Sequence, residues 1–213
     1  MNASSPATAA VVAAAGKSQR MGQPKLLLLV GGQPLIAKVV AALREGGASP
    51  VIVVSPPADS AEGPGVAATA RQAGAIVLTP LIRPPEMRDS VELALEHLAR
   101  EGPPPAFLLT PADCPGITPG VVSRLIQRRT ETPDAIIVPR VAGRRAHPLL
   151  LPWDLARLIP SLLPRHQGVR ALLDAYAARV VEIELECPEL AEDLDTPEDL
   201  ERWRGRQIAS PSD

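Results

Sequence analysis

The sequence predicts an α/β fold, with a mostly parallel central sheet and helices on both of its faces. Three observations carry that expectation. Short apolar, β-branched runs alternate with longer segments of helical spacing along nearly the whole chain. The 25 prolines fall mostly between these segments and so punctuate them. The 213 residues suit one large domain able to bury a substantial core.

Taken in order, Ala9–Ala15 reads as a first strand. Pro34–Glu45 has helical spacing, with Pro34 in the first turn and Gly46-Gly47 as a stop. Val51–Ser55 is a second strand, Ser60–Gln72 a helix and Ala75–Thr79 a third strand. Arg88–Arg100 is amphipathic, with Val91, Leu95 and Leu98 on one face. Ala106–Thr110 is a fourth strand. Thr118–Arg129 follows as a helix, with Thr118 as its cap and Pro119 at its first position. Ala135–Val138 and Pro148–Leu151 read as strands, Trp153–Ile159 and Gly168–Ala178 as helices. Val180–Leu185 alternates as a strand does, and Pro197–Arg204 closes the chain as a helix capped by Thr196. Residues 1–8 and 206–213 read as loose tails around a single domain, residues 9–205.

Composition narrows the function classes. A net charge of −2 gives no general attraction to nucleic acid or to an anionic membrane. Phe107, Trp153, Tyr176 and Trp203 are the only aromatics, too few to stack a single strand of nucleic acid. Cys114 and Cys187 make neither a disulfide framework nor a zinc site. No apolar run reaches the ~18 residues of a membrane span, and the N-terminus lacks the basic start of a signal peptide. The cytoplasm is the expected location.

The stretch Val11–Leu28, VVAAAGKSQRMGQPKLLL, is the most informative in the chain. An apolar strand stops at Gly16, and a loop follows with Lys17, Arg20, Gly22 and Lys25. Glycines let backbone N–H groups approach phosphate oxygens, and cations neutralise their charge. The loop is not a Walker A motif, because that pattern needs glycine at position 11, where Val11 stands. In FLLTPADCPGITP an apolar strand ends and delivers Asp113 into a Pro-bounded loop. A carboxylate there, beside a polyphosphate loop, suits Mg²⁺, which takes one or two carboxylates with phosphate oxygens and water. In EDLDTPEDL, Glu198 and Asp199 read as helix-start residues, whereas Asp195 precedes the helix and can complete a two-carboxylate site with Asp113. Arg144, Arg145, His147, His166 and Arg170 are candidates for an anionic second substrate. Neither cysteine has a partner histidine at a telling spacing, so neither reads as a nucleophile. Ligands of open α/β sheets sit beyond the carboxyl ends of the strands, which places the Gly16–Lys25 loop, the Asp113 loop and Arg83–Ser90 on one rim.

These motifs resemble those of the MobA-like nucleotidyltransferases that handle molybdenum cofactor. AAAGKSQRMGQPKLLL resembles the family loop L-A-A-G-x-S-x-R-M-G-x-x-K-L-L-L, TPADCP its metal-binding Asp loop, RRAHP its G-H-P segment and DLDTPEDL its D-x-D-T-P-E-D-L. Ala14 and Ser18 resemble the cytidylyltransferase branch more than the guanylyltransferase branch. The resemblance implies a Rossmann-like three-layer sandwich of the nucleotide-diphospho-sugar-transferase type. It implies transfer of a nucleotidyl group from an NTP, CTP favoured, to molybdopterin, with Mg²⁺ as cofactor and a molybdoenzyme as possible recipient. Carried over by position, Ala13, Ala14, Ala15, Gly16, Ser18, Gly22 and Ser90 meet the nucleotide. Arg20 and Lys25 hold the triphosphate. Asp113 and Asp195 hold the metal, and Arg145, His147 and Arg170 face the acceptor. Ala13 replaces the usual leucine, Glu86 a glycine before Met87, Ala146 the glycine of G-H-P, and His166-Gln167-Gly168 the usual D-x-G. Two other readings stay open: the same chemistry on a sugar or alditol phosphate, and a non-catalytic accessory protein that binds the cofactor.

Overall fold

The computed structural model describes residues 7–161 and 169–209. Its centre is an eight-stranded sheet, assembled from β1 (Ala9–Ala13), β4 (Val51–Val54), β5 (Ile76–Leu78), β6 (Ala106–Pro111), β7 (Ile136–Val141), β8 (Arg144–Arg145), β9 (Leu149–Pro152) and β10 (Val180–Glu184). A separate two-stranded hairpin, β2 (Leu29–Val30) with β3 (Gln33–Pro34), follows the basic loop. The order across the sheet is β10-β7-β9-β6-β1-β4-β5, with β8 paired to β7. β1 pairs in parallel with β4 and β6, β4 with β5, and β10 with β7. β9 runs antiparallel between β6 and β7. The sheet is therefore mostly parallel, as the alternation of segments predicts.

The strands alternate their faces. Ala10, Val12, Val51, Val53 and Leu108 point into one apolar layer, Ala9, Val11, Ile52, Val54, Phe107 and Leu109 into the other. Helices α1 (Leu35–Glu45), α2 (Gly63–Gln72), α4 (Pro119–Glu131) and α7 (Pro197–Ala209) belong to the first layer. Helices α3 (Met87–Glu101), α5 (Trp153–Ala156) and α6 (Val169–Ala175) cover the second. Strands buried on both faces read as continuous apolar runs, which is why β1, β4 and β6 are so plain in the sequence.

The differences from the sequence expectation have local causes. β1 ends at Ala13 because the chain then turns into the basic loop, although the Ala14 N–H still donates to Val54 O at 3.0 Å. The helix expected from Ser60 starts at Gly63, since the Ser60 hydroxyl accepts from the Gly63 N–H and closes a turn before it. The segment Trp153–Ile159 breaks into α5 and a 3-10 turn, Ile159–Ser161. Gly168 lies outside the described residues; the helix expected from there runs Val169–Ala175, followed by a 3-10 turn, Ala177–Arg179. β8 was not expected; Ala142 and Gly143 at φ 48° and 77° turn the chain back from β7. At the two ends of the domain, Thr8 is buried with its carbonyl accepting from the Ser49 N–H at 2.8 Å, and α7 runs on to Ala209.

β1, β4 and β5 step outward in one direction, and the chain then returns to place β6 on the other side of β1. The loops leaving β1 and β6 therefore diverge, which opens a crevice at their carboxyl ends.

Candidate active site

Both diverging loops are built into that crevice by buried neighbours. After β1 the chain makes two 3-10 turns, Gln19–Met21 and Lys25–Leu27, with Ser18 and Gly22 in left-handed conformation at φ 46° and 68°. Met21 and Leu26 are buried and pin the loop, which leaves Arg20 and Lys25 facing the crevice. On the other side, Ala112 N–H donates to Ala13 O at 3.1 Å and so ties the Asp113 loop to the end of β1. Asp195 arrives from the far end of the chain. The Leu194 N–H donates to Asp113 O at 3.0 Å. Gly116 lets the two segments touch: a Cβ there would stand 2.1 Å from Glu189 O.

Lys25 Nζ donates to Asp113 Oδ2 at 2.5 Å and to Asp195 Oδ1 at 3.0 Å, and Arg20 Nη2 donates to Asp195 Oδ2 at 2.7 Å. Only 11% of the Lys25 side chain is exposed, against 71% for Arg20. Burial alone would lower the Lys25 pKa, but the carboxylates of Asp113 and Asp195 outweigh it and hold it above the ordinary lysine value. Lys25 is thus charged throughout the neutral range. Thr196 and Asp199 fix the approach of Asp195. The Asp199 carboxylate accepts from the Asp195 and Thr196 N–H groups at 3.1 and 2.8 Å, and the Thr196 hydroxyl accepts from Asp199 N–H at 3.2 Å. This reciprocal pair is a capping box.

Three hollows line up along the rim. The first, about 340 Å³, holds Ala13, Ala14, Gly16, Lys17, Ser18, Arg20, Lys25, Asp113 and Asp195. The second, about 610 Å³, shares Ala13, Gly16, Lys17 and Asp113 with it and adds Ala15, Arg83, Glu86, Met87 and Ser90. The third, about 710 Å³, shares Glu86 and Met87 with the second and adds Arg145, His147, Leu149, Arg170 and Leu173. Together they make one groove.

The structure brings nearly all the sequence candidates to this groove, with distinctions. Gly22 does not line the first hollow; it ends the Gln19–Met21 turn and borders a shallower depression beside Glu62. Arg145 reaches the third hollow, but its Nε donates to Glu182 at 2.8 Å, a carboxylate that Arg140 also contacts. Burial lowers the pKa of His147, and its Nδ1 is enclosed without a hydrogen-bond partner, so it offers the groove a neutral ring rather than a charge. His166 lies outside the described residues.

Two contacts of groups named from the sequence escaped that reading. Arg83 contacts the carbonyls of the basic loop, a pairing no local spacing reveals. Cys114 Sγ donates to Asp193 Oδ1 at 3.3 Å; burial raises the thiol pKa well above its usual value, so the thiol stays protonated. The donor atoms of Asp113, Cys114 and Asp193 lie within 4.8 Å of one another. A protonated thiol is a poor ligand for a hard cation. The carboxylates of Asp113 and Asp195, which converge on one ammonium, are oxygen donors of the kind a hard cation such as Mg²⁺ takes.

A glycine-containing basic loop facing two carboxylates, at the switch point of a mostly parallel sheet, suits a polyphosphate-bearing ligand such as a nucleotide. The family model described as "MobA-like NTP transferase domain" matches residues 10–180, and the chain belongs to that family of nucleotidyltransferases. It is 28% identical over 212 residues to a molybdenum cofactor guanylyltransferase of Rhodopseudomonas palustris, covering 97% of this chain and 95% of that protein. It is 37% identical over 172 residues to a phosphoenolpyruvate guanylyltransferase of Rubrobacter xylanophilus, covering 79% and 77%. Its fold matches that of a nucleotidyl transferase from Methanothermobacter with a TM-score of 0.76 at 22% identity, over 95% of this chain and 98% of that one. Among the described residues, no helix is long and apolar enough to cross a membrane.

Proposed function

We propose that the protein transfers a nucleotidyl group from CTP to the phosphate of a molybdopterin-type acceptor and releases pyrophosphate. The observation that carries this reading is the Lys25 ammonium held between Asp113 and Asp195 beside the Gly16–Lys25 loop. The triphosphate lies in the first hollow, base and ribose in the second against Ala15 and Ser90, and the acceptor in the third.

An acceptor phosphate oxygen attacks the α-phosphorus in line. A new P–O bond forms, the bond from the α-phosphorus to the bridging oxygen breaks, and its electron pair leaves with pyrophosphate. A phosphate monoester is already a competent nucleophile at neutral pH, so the site needs no strong general base. Positioning and charge stabilisation suffice. Lys25 and Arg20 draw charge off the triphosphate as it shifts toward the leaving group. Asp113 and Asp195 would hold Mg²⁺, which supplies Lewis-acid stabilisation of phosphoryl oxygens. Arg170 and Arg145 border the acceptor end with Glu86 and Asp174, and Arg145 is shared with Glu182, so Arg170 is the cation best placed to meet an anionic acceptor there.

Ala14 and Ser18 support CTP. A second reading, GTP, is supported by the guanylyltransferase names of the two relatives above. The phosphoenolpyruvate enzyme also supports testing a small phosphorylated acceptor. The deciding experiment measures pyrophosphate release with Mg²⁺ from CTP, GTP, ATP and UTP, with molybdopterin, with phosphoenolpyruvate and with neither. Release that requires molybdopterin and prefers CTP is the expected result. Preference for GTP moves the base assignment. Release only with another acceptor moves the acceptor assignment, and nucleotide binding without release leaves a carrier role.

A further inference from the structure

Arg83 stands in the connection between β5 and α3, and its guanidinium meets the basic loop from the side. Nη1 donates to the carbonyl oxygens of Ala15 at 2.5 Å and Gly16 at 3.1 Å, and Nη2 donates to Glu62 Oε1 at 2.5 Å. The two charged side chains are largely buried, 19% and 18% exposed. Glu62 is held in turn by close packing. It occupies the N-cap of α2, and a Cβ on the next residue, Gly63, would stand 1.9 Å from Pro57 O.

The geometry has a consequence for the neighbouring N–H groups. In a trans peptide the C=O and the following N–H point in opposite directions. Holding the Ala15 and Gly16 carbonyls against Arg83 therefore turns the Gly16 and Lys17 N–H groups away from it. Gly16, Lys17 and Ser18 all line the hollow that contains Lys25, and Ser18 adds a left-handed turn. Among the described residues, no hydrogen bond engages the N–H of Gly16, Lys17 or Ser18. Successive unengaged N–H groups in such a turn form an anion-binding concavity.

We propose that Arg83, anchored by Glu62, is a positioning residue that sets this backbone cradle for the triphosphate. The inference rests on the nucleotidyl-transfer reading. The guanidinium acts through the loop rather than as a counter-charge, because Glu62 already neutralises it. Arg83 also lines the second hollow, so direct contact with the nucleotide is the rival role.

The two roles predict opposite effects at Glu62. If Arg83 touches the nucleotide as a cation, Glu62→Ala frees its charge and tightens binding. If Arg83 positions the loop, Glu62→Ala slackens the clamp and weakens binding. The test is calorimetric titration of the full chain with inorganic tripolyphosphate, a probe of the phosphate cradle that carries no base, and with Mg²⁺–CTP. Arg83→Ala is expected to weaken tripolyphosphate at least tenfold. Arg83→Lys, which keeps the charge but loses the planar fork, restores only part. Glu62→Ala weakens binding by a similar factor, and the double variant is no worse than either single one. In turnover the nucleotide KM rises more than kcat falls. Tripolyphosphate affinity within twofold of wild type in Arg83→Ala, or tighter binding in Glu62→Ala, overturns the inference while leaving the nucleotide reading in place. A wild-type chain that binds neither probe removes both.

Discussion

Lys25 serves two partners that compete for it. In this structure it bridges Asp113 and Asp195, and in the proposed reaction it faces the triphosphate. Replacing it removes a buried positive charge from between two carboxylates, and replacing Asp113 leaves that charge half-paired. Lys25→Ala and Asp113→Ala are each expected to lower turnover by about a hundredfold or more, the cost of losing one preorganised charge stabiliser. The rate of pyrophosphate release checks this, and near-normal rates in either variant break the assignment. A separate consequence concerns the cation site alone. With the ammonium gone, Asp113 and Asp195 lose their internal counter-charge, so Lys25→Ala should bind Mn²⁺ more tightly than wild type when no nucleotide is present. Electron paramagnetic resonance titration of free Mn²⁺ reads this without any turnover, and equal affinities would remove the competition.

Asp195 depends on the start of α7. The Thr196–Asp199 capping box fixes the turn in which Asp195 sits, so the helix cap and the site are one construction. Burial pushes the Asp199 pKa up, but the hydrogen bonds from the Thr196 hydroxyl side and the backbone, with nearby Arg202, hold it below the ordinary aspartate value of 3.8. A depressed folded-state pKa means the stabilisation is complete above the unfolded value and fades as pH falls through the folded one. Asp199→Ala removes the acceptor of two backbone N–H groups and should cost about 1 kcal/mol or more at neutral pH. In urea unfolding across a pH series, the gap between the variant and wild type should narrow progressively as pH falls through the ordinary aspartate range and below it. A gap that stays constant into acid would show that the carboxylate charge contributes nothing. Gly116 is the other structural dependency: Gly116→Ala drives a Cβ into the Glu189 carbonyl and must shift the Pro188–Ala191 turn. The expected outcome is weaker Mg²⁺–nucleotide binding together with a lower unfolding midpoint. An unchanged pair of values would mean that the turn gives way without moving Asp195.

At the scale of the molecule, the central strands carry the core and the loops at their carboxyl ends carry the candidate site. Leu108 is fully buried in β6, five residues before Asp113. Leu108→Ala should destabilise the protein by about 2–5 kcal/mol, as large-to-small core changes do, while the surviving folded fraction keeps its nucleotide KM. Denaturant titration and initial rates at low temperature separate the two effects, and a large KM change would mean that the strand and the site are more tightly coupled than their positions suggest.

The strands and long helices were legible in the sequence because their signals are local. β1, β4 and β6 are continuous apolar runs, and α3 repeats its apolar residues at helical spacing. The basic loop was legible for the same reason, since its glycines and cations lie within ten residues. Asp113 and Asp195 could be paired from the sequence only as candidates. Their convergence on one ammonium, across 170 positions in the case of Lys25 and Asp195, required the strand order that sets β6 beside β1 and the turn that brings Leu194 to Asp113. The sequence put Arg83 on the rim, but its grip on the basic loop left no trace, because its targets are backbone carbonyls 67 and 68 positions away and any residue type supplies a carbonyl. The strand β9 was expected, but its antiparallel direction was hidden, for a buried strand has the same composition in either direction. By itself, then, the sequence determined the α/β class and which charged and glycine residues each loop presents, both of which depend on neighbours along the chain. Which loops meet, and what holds their backbone in place, depended on packing between distant segments and was decided by the tertiary structure.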